Sequence, residues 1–173
     1  SDEKADELVF LDITATNDNR KTTLEMVEAV AKNVFIPFTV GGGIKTIEDI
    51  KTLLIAGADK IAINSQAVKT PEIIEQSAKY FGSQCIVVAI DAKYEYNDYY
   101  VFINAGKKNT GIKLKDWVME VEKLKAGEIL LTSMDADGTQ NGFDINMTKL
   151  VTSSINIPVI ASGGAGANSQ HFI

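Results

Sequence analysis

The chain has 173 residues, of which 45% are apolar and 23% are charged, and its formal net charge is −6. This balance is typical of a globular domain with one sizeable hydrophobic core. The acidic charge, without a dominant cluster of Lys and Arg, argues against a nucleic-acid partner and against a membrane surface. We therefore predict a single domain over residues 1–173 that binds a small molecule.

Three features of the sequence indicate the cellular compartment of the protein. Cys85 is the only cysteine and lies in the apolar run CIVVAI, so we expect a buried thiol and no disulfide framework. No apolar run reaches the roughly 20 residues that cross a bilayer. The first residues, SDEKADE, are charged and polar, so they do not resemble a signal peptide. These features predict a cytoplasmic protein.

Histidine usage limits the chemistry that the chain can carry. His171 is the only histidine, which argues against a Ser-His-Asp triad or a multi-histidine metal site. Asp135 and Asp137 lie in DADGTQNG, which is superficially similar to a calcium loop but lacks its further ligands and its closing Glu. We expect no metal and no cofactor, so catalysis must rest on Asp, Glu, Lys or backbone donors.

Short apolar runs alternate along the chain with amphipathic helical patterns. The runs lack strict polar alternation, as expected for parallel strands that are buried on both faces. Thr70 as N-cap and Pro71 at the first helical position give a strong helix start, and Gly57 and Gly127 are helix stop signals. The predicted strands are 8–13, 35–40, 60–63, 86–90, 129–132 and 159–161, and the helix candidates between them are 21–33, 47–56, 71–81 and 114–124.

Repeated βα units form either a barrel or a doubly wound parallel sheet, and an internal repeat distinguishes between these two architectures. Residues 4–43 align without a gap on residues 125–164, at a constant offset of 121, and ten of the 40 positions are identical. Such a two-fold repeat favours a barrel of two half-barrels over a doubly wound sheet. A closed barrel needs eight strands and about 250 residues. We therefore predict an α/β fold, an incomplete (β/α)8 TIM barrel with about six strands, and we interpret the chain as a fragment of a longer protein.

The carboxyl ends of the strands form the ligand site in such a barrel. Glycines follow two equivalent strands, in VGGG (40–43) and ASGG (161–164). Without a Cβ, these glycines let backbone N–H groups approach phosphate oxygens, although plain turn geometry is the alternative interpretation. Their equivalence in the repeat favours phosphate binding and predicts a ligand with two phosphates.

Asp91 is the candidate catalytic residue. It ends the run IVVAID at the rim of the predicted barrel, where a raised pKa would suit a general acid or base. The alternative is a solvated, charged strand end. Asp12 and Asp137 occupy similar rim positions.

A long excursion follows the Asp91 strand. Asn97 and Asp98 lie between aromatic runs and predict a β-hairpin. Lys107 and Lys108 follow in a predicted mobile, basic loop, which is either a lid over an anionic ligand or a solvated turn.

Charged residues also mark the opposite rim, where the strands begin. They are Glu7, Lys60 and Glu128. On these residues alone, a structural salt-bridge layer that plugs the bottom of the barrel is the better interpretation.

Seven segments together resemble the cyclase subunit of imidazole glycerol phosphate synthase, from histidine biosynthesis. The resemblance covers essentially the whole chain, and GKKNTGI and LLTSMDADGT are its most specific parts. The segments are DELVFLDITA (6–15), PFTVGGGI (37–44), GADKIAIN (57–64), VVAIDAK (87–93), GKKNTGI (106–112), GEILLTSMDADGT (127–139) and ASGGAG (161–166).

The resemblance implies a (β/α)8 barrel that is the synthase half of a glutamine amidotransferase, a lyase. It would form a heterodimer with a glutaminase subunit that releases ammonia. The cyclase would join this ammonia to a bis-phosphorylated ribulosyl-formimino-aminoimidazole carboxamide substrate. The products would be imidazole glycerol phosphate and aminoimidazole carboxamide ribotide.

The resemblance also implies residue roles. Asp91 is similar to the family's general acid/base on the fifth strand. Glu7, Lys60 and Glu128 resemble a charged gate for ammonia, which replaces the salt-bridge interpretation. One phosphate site would comprise Gly43, Asn64 and Ser65, and the other Asp137, Gly138, Gly163 and Gly164, with Thr132 and Ser162 lining the substrate channel.

Parts of the family pattern do not occur in this sequence. They are a second essential aspartate on the first strand, the arginine of the gate and the eighth strand, so we expect this chain alone to be inactive. The alternatives are the sister phosphoribosyl-formimino isomerase, a paralogous amidation enzyme of surface-sugar synthesis, and an inactive half-barrel fragment. The GKKNTGI segment and the gate charges argue against the isomerase.

Overall fold

The computed structural model describes residues 5–11 and 20–167, in which strands and helices alternate. No helix in these two ranges is long and apolar enough to cross a membrane. The strands are β1 (Leu8–Leu11), β2 (Phe38–Gly41), β3 (Lys60–Ile63), β4 (Ile86–Glu95), β5 (Asp98–Ile103), β6 (Lys108–Lys113), β7 (Glu128–Ser133) and β8 (Val159–Ser162). The helices are α1 (Arg20–Ala31), α2 (Ile47–Ile55), α3 (Ser65–Lys69), α4 (Glu72–Phe81), α5 (Leu114–Lys123) and α6 (Ile145–Thr152), and a 3-10 turn, Ser83–Cys85, precedes β4.

All of these strands belong to one sheet. Six run parallel in the spatial order β1-β2-β3-β4-β7-β8, and β5 and β6 extend β4 as antiparallel strands. Leu11 of β1 and Leu130 of β7 line the same cavity although three strands separate them, so the sheet is strongly curved. Within the described ranges, β1 and β8 do not pair with each other, so this part of the chain forms an open section of curved sheet.

Side-chain caps fix where two of the helices begin. The hydroxyl of Thr46 accepts a 3.1 Å hydrogen bond from the N–H of Asp49, and the Asp49 carboxylate accepts one of 3.0 Å from the N–H of Thr46. This capping box at the start of α2 satisfies N–H groups that a helix end leaves open. Asp144 caps α6 by accepting a 2.9 Å bond from the N–H of Met147.

Two hydrophobic clusters lie on opposite faces of the curved sheet. The larger cluster joins strand residues such as Val88 to the helices that cover the outer face, including Trp117 of α5. Because side chains alternate along a strand, the neighbours of these strand residues point to the inner, concave face. They form the smaller cluster, which we call the inner layer: Ala62, Val87 and Leu130, with Val9, Ala89 and Ile160 packed against them.

The repeat found in the sequence extends to the pairing of the strands. β1 pairs with β2 in the register Leu8↔Phe38, and β7 pairs with β8 in the register Ile129↔Val159. All residue pairs of the two ladders differ by the same offset of 121 that aligns the two sequence segments. The β1–β2 unit therefore recurs as the β7–β8 unit.

The structure corrects several predicted elements. The sequence analysis did not predict α3 and α6, and α4 begins after Pro71, one residue later than expected. Phe35 was predicted to begin a strand but is 93% exposed, and β2 begins only after Pro37, which has no N–H for a ladder. Cys85 was expected to be buried but is only partly buried, because it lies in the 3-10 turn.

Candidate active site

Asp91 lies where β4 leaves the parallel sheet. It pairs with Thr132 of β7 on one side and with Phe102 of β5 on the other, because β4 continues to Glu95 and does not end before Asp91 as predicted. Its carboxylate accepts a 3.1 Å hydrogen bond from Nδ2 of Asn64. Burial raises the pKa of Asp91 above the ordinary value of 3.8; the Asn64 bond opposes this rise.

The charge of Asp137 raises the pKa of Asp91 further. Since like charges disfavour ionisation, this neighbour adds to the effect of burial. A raised pKa brings a carboxyl group closer to the pH at which it can both donate and accept a proton. The direction of this pKa shift is the one expected for the predicted role of Asp91 in proton transfer.

A chain of hydrogen bonds leads from Asp91 to the surface. Beyond Asn64, Oγ of Ser65 lies 3.4 Å from Oδ1 of Asn64 and accepts a 2.9 Å bond from the N–H of Asn104. Lys69 donates to Oδ1 of Asn104 at 3.3 Å. Asn64 and Ser65 were predicted from the sequence, whereas Asn104 and Lys69 were not, because only the packing of a hairpin turn on α3 brings these two residues to the site.

A cavity of about 480 Å³ opens at this end of the sheet. It is lined by residues of β3, β4 and β7 and of the loops that follow the strands. Three lysines also line it, and their positive charge would complement an anion. The predicted site residues in its wall are Asp91, Gly43, Asn64, Ser65, Thr132 and Lys107, and Lys45 and Lys69 are the other two lysines.

The second predicted phosphate site lies at the ends of β7 and β8. Ser162 is opposite Thr132 in the ladder. The N–H of Gly142 donates a 2.8 Å hydrogen bond to the carbonyl oxygen of Gly164, which ties the loop after β7 to the loop after β8. Gly164 has a φ of +93°, and a Cβ there would collide with the carbonyl oxygen of Gly142. Glycine is therefore required for this close approach.

Asp137, Gly138 and Gly163 belong to the same pair of loops. A Cβ on Gly163 would lie 3.3 Å from the Cα of Asp137, whereas a Cβ on Gly138 would meet nothing within 4 Å. Open space therefore borders this pair of loops. Asp91 interacts with Asn64 of one predicted phosphate site and with Asp137 of the other, so it lies between the two.

Two hydrogen bonds hold the β4–β5 hairpin against the loop after β7. The N–H of Tyr94 donates to the carboxylate of Asp135 at 2.8 Å, and the hydroxyl of Tyr99 donates to Asp144 at 3.1 Å. The two tyrosine rings pack edge to face with their centroids 5.0 Å apart. Burial and the charge of Asp144 raise the pKa of Tyr99 to about 12. The predicted hairpin is thus present and supports the loop that carries Asp137.

The loop predicted around Lys107 and Lys108 is shorter than expected, because only Lys107 lies in a turn. Lys108 begins β6, which pairs with β5. Asn104 and Ala105 have φ values of 57° and 55°, which build a tight turn between the two strands. Lys107 lines the cavity, whereas Lys108 is exposed and does not line it.

Glu7, Lys60 and Glu128 form one ion-pair cluster at the amino-terminal rim, which we call the charged rim. Nζ of Lys60 lies 2.8 Å from Oε2 of Glu7 and 2.9 Å from Oε2 of Glu128. Glu7 also accepts a 2.7 Å hydrogen bond from the hydroxyl of Thr39. Their side chains are 22%, 23% and 15% exposed, so all three are partly buried. The structure therefore brings the three predicted residues together.

The pKa values of Glu7 and Lys60 favour their charged forms. Burial would lower the pKa of Lys60, but hydrogen bonds and charges from Glu7 and Glu128 raise it. Burial would raise the pKa of Glu7, but its bonds with Lys60 and Thr39 lower it. The ion pair between Glu7 and Lys60 thus persists over a wide pH range.

The inner layer separates the charged rim from Asp91. On β7, Glu128 of the rim is followed at alternate positions by Leu130 and Thr132, and on β3 Lys60 is followed by Ala62 and Asn64. Four residues of strand span about 13 Å. The concave face is therefore charged at one end, apolar in the middle and polar at the other end.

Two remaining predictions concern metals and residues near the ends. In ranges 5–11 and 20–167, no three His, Cys, Asp or Glu residues form a group that could hold a metal ion. Asp12 and His171 lie outside the described residues.

The fold and the site together define an alternating α/β protein whose polar site lies at the carboxyl ends of parallel strands. Residues 1–173 match the family model described as "Histidine biosynthesis protein". The chain is 57% identical over 173 residues to the imidazole glycerol phosphate synthase subunit HisF of Hydrogenobaculum sp. (strain Y04AAS1), a match that covers 99% of this chain and 68% of that protein.

Two further relatives carry the same name. The protein of Natranaerobius thermophilus is 65% identical over 170 residues, which cover 98% of this chain and 68% of the relative. The protein of Clostridium botulinum (strain Alaska E43) is 59% identical over 174 residues, which cover 99% and 69%. The chain belongs to the HisF family of histidine biosynthesis, and it spans about two thirds of the length of these relatives.

Proposed function

We propose that this chain supplies the cyclase function of imidazole glycerol phosphate synthase in the cytoplasm, within a (β/α)8 barrel whose second to seventh strands are the six parallel strands described here. Membership of the HisF family supports this assignment. The main structural support is the position of Asp91, which interacts with Asn64 on one side and with Asp137 on the other. A long ligand with a phosphate at each end would pass directly over this carboxyl group.

Asp91 is the proposed general acid/base. Addition of ammonia to a carbonyl carbon needs a proton for the oxygen that leaves as water, and the nitrogen must later lose protons. A carboxyl group with a raised pKa can perform both transfers in turn. Asn64 holds one carboxylate oxygen through its 3.1 Å hydrogen bond, which leaves the other available to the substrate.

The two glycine-containing loops are the proposed phosphate sites. Gly43, Asn64 and Ser65 would hold one phosphate in the 480 Å³ cavity. Asp137, Gly138, Gly163 and Gly164 would border the other. Backbone N–H groups in such loops bind phosphate without a net positive field, which suits a chain with a net charge of −6.

The charged rim is the proposed entry for ammonia from a glutaminase subunit that docks on the amino-terminal face. Beyond it, the inner layer offers apolar side chains such as Ala62 and Leu130. Neutral ammonia crosses such a layer more readily than charged ammonium. Entry requires Lys60 to release at least one of its bonds to Glu7 and Glu128, which are 2.8 and 2.9 Å long.

A chimera tests this function. The chain replaces the matching 170 residues of the Natranaerobius thermophilus relative, which supplies the remaining third. We expect ammonia-dependent conversion of the bis-phosphorylated ribulosyl substrate, and glutamine-dependent conversion once the cognate glutaminase is added. Lys60→Met should change the ratio of the two rates, because it alters the rim and leaves Asp91 untouched. A folded chimera without ammonia-dependent turnover would reject the proposal.

A further inference from the structure

The 480 Å³ cavity has an outer wall whose residues have no role in the proposed cyclase function. This wall consists of Lys69, at the end of α3, and the turn between β5 and β6, which contributes Asn104, Ala105 and Lys107. α3 and this turn are joined by two hydrogen bonds, from Lys69 to the side chain of Asn104 and from the N–H of Asn104 to Ser65. The turn is therefore fixed on α3 beside a proposed phosphate site.

We propose that Lys69 is a further phosphate-binding residue and that the Asn104 side chain holds it beside the cavity. The main-chain N–H of Asn104 also orients the hydroxyl of Ser65 so that it can donate a hydrogen bond to the same phosphate. The inference rests on the proposed phosphate site of Gly43, Asn64 and Ser65 and deepens it. Lys69 contacts the ligand directly, and the Asn104 side chain is a positioning residue that acts through Lys69.

The hydroxyl of Ser65 is directed by its neighbours. Its oxygen accepts the 2.9 Å bond from the N–H of Asn104, so its proton must point elsewhere. In the structure, the Ser65 hydroxyl donates to Oδ1 of Asn64 at 3.4 Å, which is a long hydrogen bond. A phosphate oxygen in the cavity would be a stronger, charged acceptor for the same proton.

The ammonium group of Lys69 makes a weak hydrogen bond to Asn104, so it can exchange this bond for one to a ligand. Its bond to Oδ1 of Asn104 is 3.3 Å long and exposed. A phosphate oxygen would give Lys69 a charge-assisted bond, which is about twice as strong as a bond to a neutral amide. Asn104 meanwhile keeps the flexible side chain close to the cavity, which reduces the entropy that binding would cost.

The experiment titrates the 173-residue chain with inorganic phosphate and follows the backbone amide resonances of Gly43 and Ser65. We expect these amides to shift on binding. Lys69→Met should weaken phosphate binding about tenfold, the effect of losing one charge-assisted bond, and Lys69→Arg should restore most of the affinity. Lys79→Met removes an exposed lysine of α4 and should leave the affinity within about twofold.

Asn104→Gly tests the positioning role, because glycine tolerates the φ of 57° and retains the N–H that bonds to Ser65. Asn104→Gly should weaken phosphate binding when Lys69 is present. It should not weaken binding further in a chain that already carries Lys69→Met, since both substitutions act through the Lys69 side chain. If Asn104→Gly and Lys69→Met weakened phosphate binding additively, the inference would be wrong. It would also be wrong if the Lys69→Met chain bound phosphate as tightly as the Lys79→Met chain. Neither result would contradict the proposed phosphate site. If the Gly43 and Ser65 amides do not respond to phosphate, both the inference and the proposed phosphate site are wrong. Binding that depends on Lys69 would support the inference even in a chimera without turnover.

Discussion

The side-chain amide of Asn64 donates a 3.1 Å hydrogen bond to the carboxylate of Asp91. Asn64 follows β3 and Asp91 lies in the adjacent β4, so the bond crosses neighbouring parallel strands at their carboxyl ends. It fixes one oxygen of the carboxyl group while burial raises the pKa of the whole group. A partly buried carboxylate that is held by Asn64 is well suited to proton transfer but destabilises the fold when it is charged.

Asp91→Asn should therefore stabilise the chain at neutral pH. A carboxyl whose folded pKa is raised stabilises the fold below its unfolded pKa of 3.8, and this contribution is lost as pH rises through the folded pKa. Asparagine carries no charge, so we expect a gain of about 1 kcal/mol at pH 7 that disappears below pH 3.8. Urea unfolding followed by the fluorescence of Trp117, the only tryptophan, measures it. Asp6→Asn, at an exposed position, is the control for removing a surface carboxylate and should change the free energy of unfolding at pH 7 by less than about 0.5 kcal/mol.

Lys60→Met should destabilise the chain, because it leaves Glu7 and Glu128 together without their cation. Since these side chains are partly exposed, we expect a loss of about 1–2 kcal/mol at pH 7. The lowered pKa of Glu7 gives stability above its unfolded value of 4.5 that is lost as pH falls through the folded pKa. The raised pKa of Lys60 gives stability below 10.5 that is lost as pH rises through the folded pKa.

The effect of Lys60→Met should therefore be largest between pH 4.5 and 10.5 and smaller outside this window. Lys51→Met is the matched control, since Lys51 makes an exposed 3.8 Å ion pair with Glu48, and its loss should cost less than about 0.5 kcal/mol. Equal losses for the two variants would mean that the charged rim is not a coupled cluster.

Gly164→Ala should be more costly than Gly111→Ala. Both glycines have positive φ values, +93° and +75°, but a Cβ at Gly164 collides with Gly142, whereas one at Gly111 meets nothing within 4 Å. We expect about 1 kcal/mol of backbone strain at Gly111 and about 3 kcal/mol of strain and overpacking at Gly164. Thermal unfolding of the two variants checks this difference. Similar melting temperatures would show that the loops after β7 and β8 do not depend on close packing.

Tyr99→Phe should remove the 3.1 Å bond between the hairpin and Asp144 and cost about 1 kcal/mol. The folded pKa of Tyr99 is raised from 10.0 to about 12, so its contribution is present below pH 10.0 and is lost as pH rises through about 12. Stability measured against pH should show this loss in the parent chain and not in the variant. Tyr96→Phe, at an exposed position of the hairpin tip, should behave like the parent.

The parts of the site that could be predicted from the sequence are those set by strand order. Glu7 and Glu128 occupy equivalent positions in the 40-residue repeat, and they lie at the starts of β1 and β7 on the inner face, so their meeting at Lys60 follows from the curved sheet. Asp91 and Thr132 were likewise expected at the carboxyl ends of strands, where neighbours converge.

The parts that could not be predicted depend on contacts between distant segments. α3 has five residues, too few for a helical period to be recognised. The GKKNTG segment contains Gly and Asn, which are typical of turns, yet pairing with β5 makes its residues from Lys108 onward a strand. The bond between Asn104 and Ser65 joins residues 39 positions apart, and no local pattern predicts such a pair.

The role of Asp91 is tested by measuring ammonia-dependent kcat in the chimera with the Natranaerobius thermophilus relative, with Asp or Asn at position 91. We expect turnover with Asp91 and a fall of about 10²–10⁴-fold with Asp91→Asn, while the variant remains folded and still binds phosphate. Near-equal kcat values for the two proteins would mean that Asp91 is not the general acid/base and that the proposed cyclase mechanism is wrong.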